Sequence, residues 1–316
     1  MLFNHIGPLV AILFFASSGA AMAQAYPSKL IRILAAAPGG GGDLSARVIA
    51  QELRRILGQA VVVENRTGIL SVSAVASAPA DGYTLLSAAS SLWIGPLFNE
   101  MPYDPIKDFA PISLVNTTPT VLVVHPSLPV RTVKDLIALA KSKPGVLNYG
   151  SGAIGSSNHL AAELFNQMAG VRIVNILYKG TSAALTDVIG GRLEIMFAPA
   201  EVAAQQVKTG KLKALAVTSP RPSKLAPGLP TMAASGLPGF EAEAFYGLLA
   251  PAATDSAIVS RLNREVVQAL SRPDVKEKLT NGGFEILGNK PEEFAGVMKE
   301  DVARWKKVAD RLKLTK

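Results

Sequence analysis

Short apolar, β-branched runs alternate with segments of helical periodicity along almost the whole chain, and this alternation restricts the fold to α/β layers around largely parallel sheets. Strands are expected at 29–37, 60–65, 82–90, 120–126, 146–151, 171–178, 192–198 and 211–219, with a further apolar strand near 243–250. Helical spacing marks 43–58, 132–145, 156–170, 181–191, 256–271, 274–281 and 291–312. Two of the strand-to-helix junctions, 38–43 and 150–157, are rich in glycine, which suggests two lobes that each contribute one loop. The strands near 120–125 and 243–250 are natural crossing points. They divide the chain after its leader into a discontinuous first lobe, 26–124 plus 246–316, and a second lobe, 125–245.

The leader is a short apolar core at 6–16 followed by "SSGAAMAQA". Ala21 with Ala23, and Ala23 with Ala25, supply small-residue cleavage patterns, so an export signal cut near residues 23–25 and a periplasmic product are expected. The core falls short of the roughly 18–20 residues that a membrane span needs.

Composition closes off several chemistries. The 316 residues contain no cysteine, so disulfides, thiolate nucleophiles and zinc–sulfur sites are excluded. Three histidines, His5, His125 and His159, are too few and too scattered for a histidine metal cluster, and neither a metal nor a cofactor is expected. The net charge of +8 is spread along the chain without a like-charge block, and aromatic residues make up 6%. Nucleic-acid binding, which favours a clustered basic face interleaved with aromatics, is therefore not expected.

"PGGGGDLSARVIAQEL" (38–53) places bare backbone at the start of a helix. The first N–H groups of a helix have no partner within it, and they lie at its positive dipole end. Glycine removes the side chains that would hold an anion away from them. A plain tight connection is the competing reading, and Asp43 or Ser45 is a candidate helix cap. The second loop, "YGSGAIGSSNHL" (149–160), spells G-x-G-x-x-G through Gly150, Gly152 and Gly155. A dinucleotide site would want an acidic residue closing the next strand, and "VRIVNILYKG" ends in Tyr178-Lys179 instead. Ser156, Ser157 and His159 lack the nucleophile-elbow pattern, and His159 falls in the first helical turn, where packing or capping is the commoner role. What remains is anion capture by two opposed sets of backbone donors, helped by the hydroxyls of Ser151, Ser156 and Ser157. Each charge-assisted hydrogen bond contributes about 1.5–3 kcal/mol.

These segments, together with "YPSKLIRIL", "LGQAVVVENRTG", "DGYTLL", "YDPIKDFAPISLV", "YKGTSAALTDVIGGRLEIMF", "GKLKALAVTS", "LPTMAASGLPGF" and "YGLLAP", resemble the periplasmic solute receptors of tripartite tricarboxylate transporters, the Bug receptor family. The likeness covers nearly all of the chain after its leader. It implies a two-lobed type II periplasmic-binding fold, each lobe a mixed sheet flanked by helices, that closes on a carboxylated solute. It also implies that the loops Pro38, Gly39, Gly40, Gly41, Gly42, Asp43 and Ser151, Gly152, Ala153, Ile154, Gly155, Ser156, Ser157 hold one ligand carboxylate, partly through ordered waters. Ser90 and Ser91 match a further cleft-lining loop, and Tyr178, Lys179 and Gly180 match another. The implied partners are a small organic carboxylate and the transporter's integral membrane subunits, with the receptor itself a monomer.

Three departures from the family pattern bear on the ligand. Ala35-Ala36 stand where Pro-Phe is frequent, and Ala198 stands where many members carry an aspartate able to hold an amino group. The stretch after Asn65-Arg66, "TGILSVSAVASA", is shorter and more apolar than the usual Gly-rich segment. Together they imply a less polar distal pocket, suited to an aromatic or aliphatic carboxylate. Two other classes stay open on the sequence: an exported hydrolase-like α/β enzyme with a Gly-rich oxyanion or phosphate loop, and a solute sensor acting on a membrane kinase.

Overall fold

The structure is a computed structural model that describes residues 26–312 apart from 37, 40, 67, 153, 154 and 179; the expected leader lies outside the described residues. The first half of the chain forms β1 (Ile31–Ala35), α1 (Gly41–Leu57), β2 (Val61–Asn65), α2 (Gly68–Ala76), β3 (Thr84–Ala89), α3 (Ser91–Ile94), β4 (Phe109–Val124) and α4 (Val133–Ser142). There follow β5 (Asn148–Ser151), α5 (Ser157–Ala169), β6 (Val174–Leu177), α6 (Thr181–Ile189), β7 (Ile195–Pro199), α7 (Ala200–Lys208) and β8 (Lys213–Val217). The chain ends with β9 (Glu243–Pro251), α8 (Ser256–Ser271), α9 (Pro273–Asn281), β10 (Glu285–Ile286) and α10 (Pro291–Leu312).

The strands run in the order β2-β1-β3-β9-β4-β7-β5-β6, with β8 and β10 also paired to β4. Between the strands of the described residues, parallel pairing joins β1 with β2 and β3, and β5 with β6 and β7. All pairs made by β4 and β9 are antiparallel, so the sheets are mixed rather than largely parallel. β4 serves both lobes. Its Phe109–Pro119 portion pairs with β9, and its Thr120–Val124 portion pairs with β7 and β8.

Most expected elements form within a few residues of their sequence positions. Three longer segments were not read from the sequence, nor were the short α3 and β10. The first ten or so residues of β4 carry Pro111, Pro119 and the polar run Asn116-Thr117-Thr118, which hide the strand period; the ladder absorbs them through register shifts at Pro111/Ser113 and Leu114/Asn116. α2 is apolar and small-sided nearly all round, so it shows no amphipathic stripe. α7 follows β7 without any connecting loop, and its boundary with the strand is a single proline.

Three apolar clusters hold the layers. One lies between the β1-containing sheet and α1, α8 and α9, through residues such as Ile31, Ile33, Ile49, Leu53, Leu262 and Leu279. A second covers the opposite face under α10 and continues through Leu122 and Tyr149 to Phe165 and Phe197, so it spans both lobes. The third packs α6 and α7 on the remaining face. Gly247 is needed for the second: a Cβ there would lie 2.4 Å from Cζ of Phe294, the α10 residue that lies across β9. On the same helix Asp301 accepts hydrogen bonds from the indoles of Trp93 and Trp305, both at 2.8 Å, which fastens α3 to α10.

The two crossings between the lobes are tied to each other. Thr218 Oγ1 accepts the Thr120 N–H at 2.9 Å, Thr218 N–H donates to the Thr120 carbonyl at 2.9 Å, and Ala242 N–H donates to the Thr218 carbonyl at 3.1 Å. Thr120 and Thr218 are buried. Thr218→Val keeps the shape but leaves the Thr120 N–H without its acceptor in a buried place, so urea titration should show a loss of about 1–3 kcal/mol in unfolding free energy. A loss within experimental error of zero would contradict this reading of the crossing.

Candidate functional site

The first glycine loop is braced by a carboxylate. After β1 the chain turns at Pro38-Gly39, where Gly39 has φ +77°, a conformation that favours glycine. α1 then begins at Gly41, two residues earlier than its sequence pattern indicates. Asp43 therefore lies inside the first turn and does not act as the cap. Its carboxylate, 5% exposed, accepts from the Gly39 N–H at 2.9 Å, from Arg47 at 3.0 Å and from Asn65 Nδ2 at 2.8 Å. Burial alone would raise its pKa, but these donors outweigh it and hold the carboxyl below the ordinary aspartate range. Ser45 is not the cap either: it donates to the Gly41 carbonyl at 2.8 Å and accepts from Asn116 at 2.7 Å. Ser87, at the end of β3, donates to the Gly42 carbonyl at 2.9 Å and fixes that peptide's orientation.

The second loop is braced by a histidine. Gly155 has φ +79° and sits against the ring of Phe98, a residue of the first lobe, with a would-be Cβ 3.5 Å from its Cδ2. The Gly155 N–H donates to His159 Nδ1 at 3.3 Å. Burial lowers the pKa of His159, with Glu163 opposing, so the neutral ring that accepts this bond is favoured. Ser156 Oγ donates to Asn158 Oδ1 at 2.6 Å. Serine and histidine thus both work on the loop's own conformation.

Both loops reach one cavity of about 540 Å³. Gly41, Gly42 and Asp43 line it from the first loop, Gly155 and Ser156 from the second, and Ser91 from the start of α3. A smaller cavity of about 250 Å³ adjoins it, sharing Ala89, Ser91, Gly155, Ser156 and Tyr246, and adds Ser90 and Ser157. Other sequence candidates line neither cavity. Pro38 and Gly39 form the turn behind α1. Ser151 is buried and accepts from Asn175 at 2.8 Å, and Gly152 packs on Thr181. Tyr178 donates to Asp187 at 2.7 Å, Gly180 precedes α6, and Ala198 lies in the core paired with Val121. Gly40, Ala153, Ile154 and Lys179 lie outside the described residues.

Tyr246 is the principal residue that sequence reasoning missed. It lines both cavities, and its ring lies so close to α1 that a Cβ on Gly41 would be 2.6 Å from Cζ and Oη. Phe284 meets the ring edge-on at 5.5 Å between centroids, which limits its retreat. The one sequence signal was the alternation of β9, which puts Tyr246 on the opposite face from the core residue Phe245.

Glu243, at the start of β9, was also missed and lines the smaller cavity. Burial, with Glu285 and Glu241 nearby, pushes its carboxyl up to about 7, against the opposing effects of Thr117 and Arg304. Among the described residues there is no group of three or more side chains suited to hold a metal, and no helix long and apolar enough to cross a membrane.

Fold and site together define a two-lobed type II periplasmic-binding protein whose cleft is floored by two glycine-rich helix starts. Residues 45–314 match the tripartite tricarboxylate transporter family receptor, and the chain belongs to that family. It is similar to BugT of Bordetella pertussis, 36% identical over 303 residues that cover 93% of each chain. Among solved structures it is similar to R. palustris Rpa4515 with adipate, at 35% identity and a TM-score of 0.77, covering 90% of this chain and 97% of that one. It is also similar to MatC from Rhodopseudomonas palustris with bound malate, at 29% identity and a TM-score of 0.73, covering 90% and 100%. The family is one of transporter receptors, and a further similar structure is that of the periplasmic binding protein BugD.

Two outcomes follow from the geometry. Gly41→Ala should destabilise the wild-type chain by about 1–2 kcal/mol through the Tyr246 ring, and should become neutral or stabilising in a Tyr246→Leu background, where only the helix-propensity gain remains. Equal effects in both backgrounds would contradict the contact. For Glu243, the folded chain keeps a proton that the unfolded chain releases near pH 4–5, so stability falls as pH rises towards 7. The stability of the wild type relative to Glu243→Gln should therefore drop by about 2–3 kcal/mol between pH 5 and 7.5. A pH-independent difference would refute the assignment.

Proposed function

We propose that this chain is an exported receptor that captures a small organic carboxylate between its lobes and delivers it to the integral membrane subunits of a tripartite transporter. The observation that carries this reading is that the starts of α1 and α5, one from each side of the cleft, line a single cavity. The lobes in this proposal are 26–124 plus 246–316 and 125–245, closing about the Thr120–Thr218 crossing. Within the first loop, Pro38 to Asp43, and the second, Ser151 to Ser157, the carboxylate head takes the N–H groups of Gly41, Gly42, Ser156 and Ser157, which line the cavities, with Ser90 and Ser91 alongside. Tyr178, Gly180 and Ala198 line neither cavity and stand outside the set that touches the carboxylate. The leader directs the chain to the periplasm, where it acts as a monomer without a cofactor.

Support comes from the family match and from the adipate and malate named for two structural neighbours. The same neighbours, together with a histidine already engaged with its own loop, favour binding over turnover. Mass spectrometry on the natively purified protein should find a co-purified organic acid, and titration calorimetry of His159→Ala with that acid should retain an affinity within about tenfold of wild type, a change of 1.4 kcal/mol or less. Chemical conversion of the acid by the wild type, abolished in His159→Ala, would overturn the receptor reading in favour of an enzyme.

A further inference from the structure

We infer that the solute carries a single carboxylate on an apolar body, either an alkyl chain of medium length or one aromatic ring, and is neither a dicarboxylate nor an amino acid. This rests on the receptor reading above and narrows the chemistry of its cavity.

The larger cavity has two unlike kinds of wall. Near the glycine loops it offers backbone N–H groups and the Tyr246 ring. The rest of its wall includes Ile69, Val72, Leu86, Leu92, Phe98 and Met101, with Phe98 also backing Gly155. Leu86, Leu92 and Phe98 are themselves part of the core, so this wall cannot recede to admit water without disturbing packing.

Two polar side chains of this wall are committed to backbone carbonyls, and the exposed Asn99 offers a neutral amide. Ser71 Oγ donates to the Gly68 carbonyl at 2.7 Å, and Tyr103 Oη donates to the Leu92 carbonyl at 3.2 Å. Among the described lining residues the one charged side chain is Asp43, and it is engaged by Arg47, Asn65 and the Gly39 N–H. A second carboxylate on the ligand would therefore be desolvated against aliphatic and aromatic carbon with no cation among the described lining residues to meet it. An ammonium group fares no better, because Asp43, the one acidic group among the described residues of this cavity, is already neutralised by a guanidinium. Methylene and ring carbons, by contrast, are released from water into contact with that wall, which strengthens binding about fourfold for each methylene buried.

The test is calorimetric titration of the full mature chain with two matched sets: butanoate, hexanoate, octanoate and benzoate against adipate, malate, terephthalate and aspartate. The expected result is that affinity rises from butanoate to hexanoate by about tenfold or more, and that hexanoate and benzoate bind at least about tenfold tighter than adipate and terephthalate. Met101→Arg, at the partly exposed end of the wall, supplies the missing cation and should invert the order, strengthening adipate and weakening hexanoate. Adipate, malate or aspartate binding wild type as tightly as hexanoate, or affinity that ignores chain length, would overturn this inference and leave the receptor reading standing. Silence from every acid in both sets at millimolar concentration would overturn both.

Discussion

A helix that begins at the wall of a cavity must satisfy its first N–H groups with something from outside the helix, and in this chain two helices face that demand at the same cavity. α1 and α5 each rise from the carboxyl end of a parallel strand, β1 and β5, so strand direction sends both positive dipole ends toward the cleft. The surrounding residues serve this arrangement. Asp43 and Ser87 hold the first loop from behind, and His159 holds the second, so the backbone donors are set before a ligand arrives. None of these braces offers its charge to the cleft: Asp43 is spent on Arg47 and Asn65, and His159 is favoured as a neutral ring.

The cost of presenting bare backbone is met by packing elsewhere. Gly41 leaves room for the Tyr246 ring, and Tyr246 leans on Phe284 from the far end of the chain. The first lobe's wall is tied down by Asp301, which receives both indole N–H groups from Trp93 and Trp305. β4 and the segment leading into β9 carry the chain between lobes, and the paired threonines Thr120 and Thr218 bind those two passages together.

Much of this was legible in the sequence where the physics is local. The strand–helix alternation, the Gly-rich junctions and the C-terminal helices follow from periodicity and capping, and they appear where expected. The two glycine loops were identified as a pair, and both reach the same cavity. What escaped was non-local. β4 reads poorly because two prolines and a polar run break its period, while its partners β9 and β10 lie more than a hundred residues away. Tyr246 and Glu243 are ordinary strand residues until the fold sets one on Gly41 and the other among Glu241, Glu285 and Arg304. Asp43 looks like a cap in one dimension and becomes a buried brace once Asn65 arrives from β2.

The central claim, that one carboxylate is held by amides of both loops at once, is most directly tested by proton–nitrogen NMR. The mature chain, labelled at glycine and serine nitrogen, would be titrated with hexanoate and separately with adipate. The account predicts that the amide protons of Gly41, Gly42, Ser156 and Ser157 move downfield together along one saturation curve with any acid that binds. Saturable binding with shifts confined to one loop, or lying wholly outside both, would contradict it.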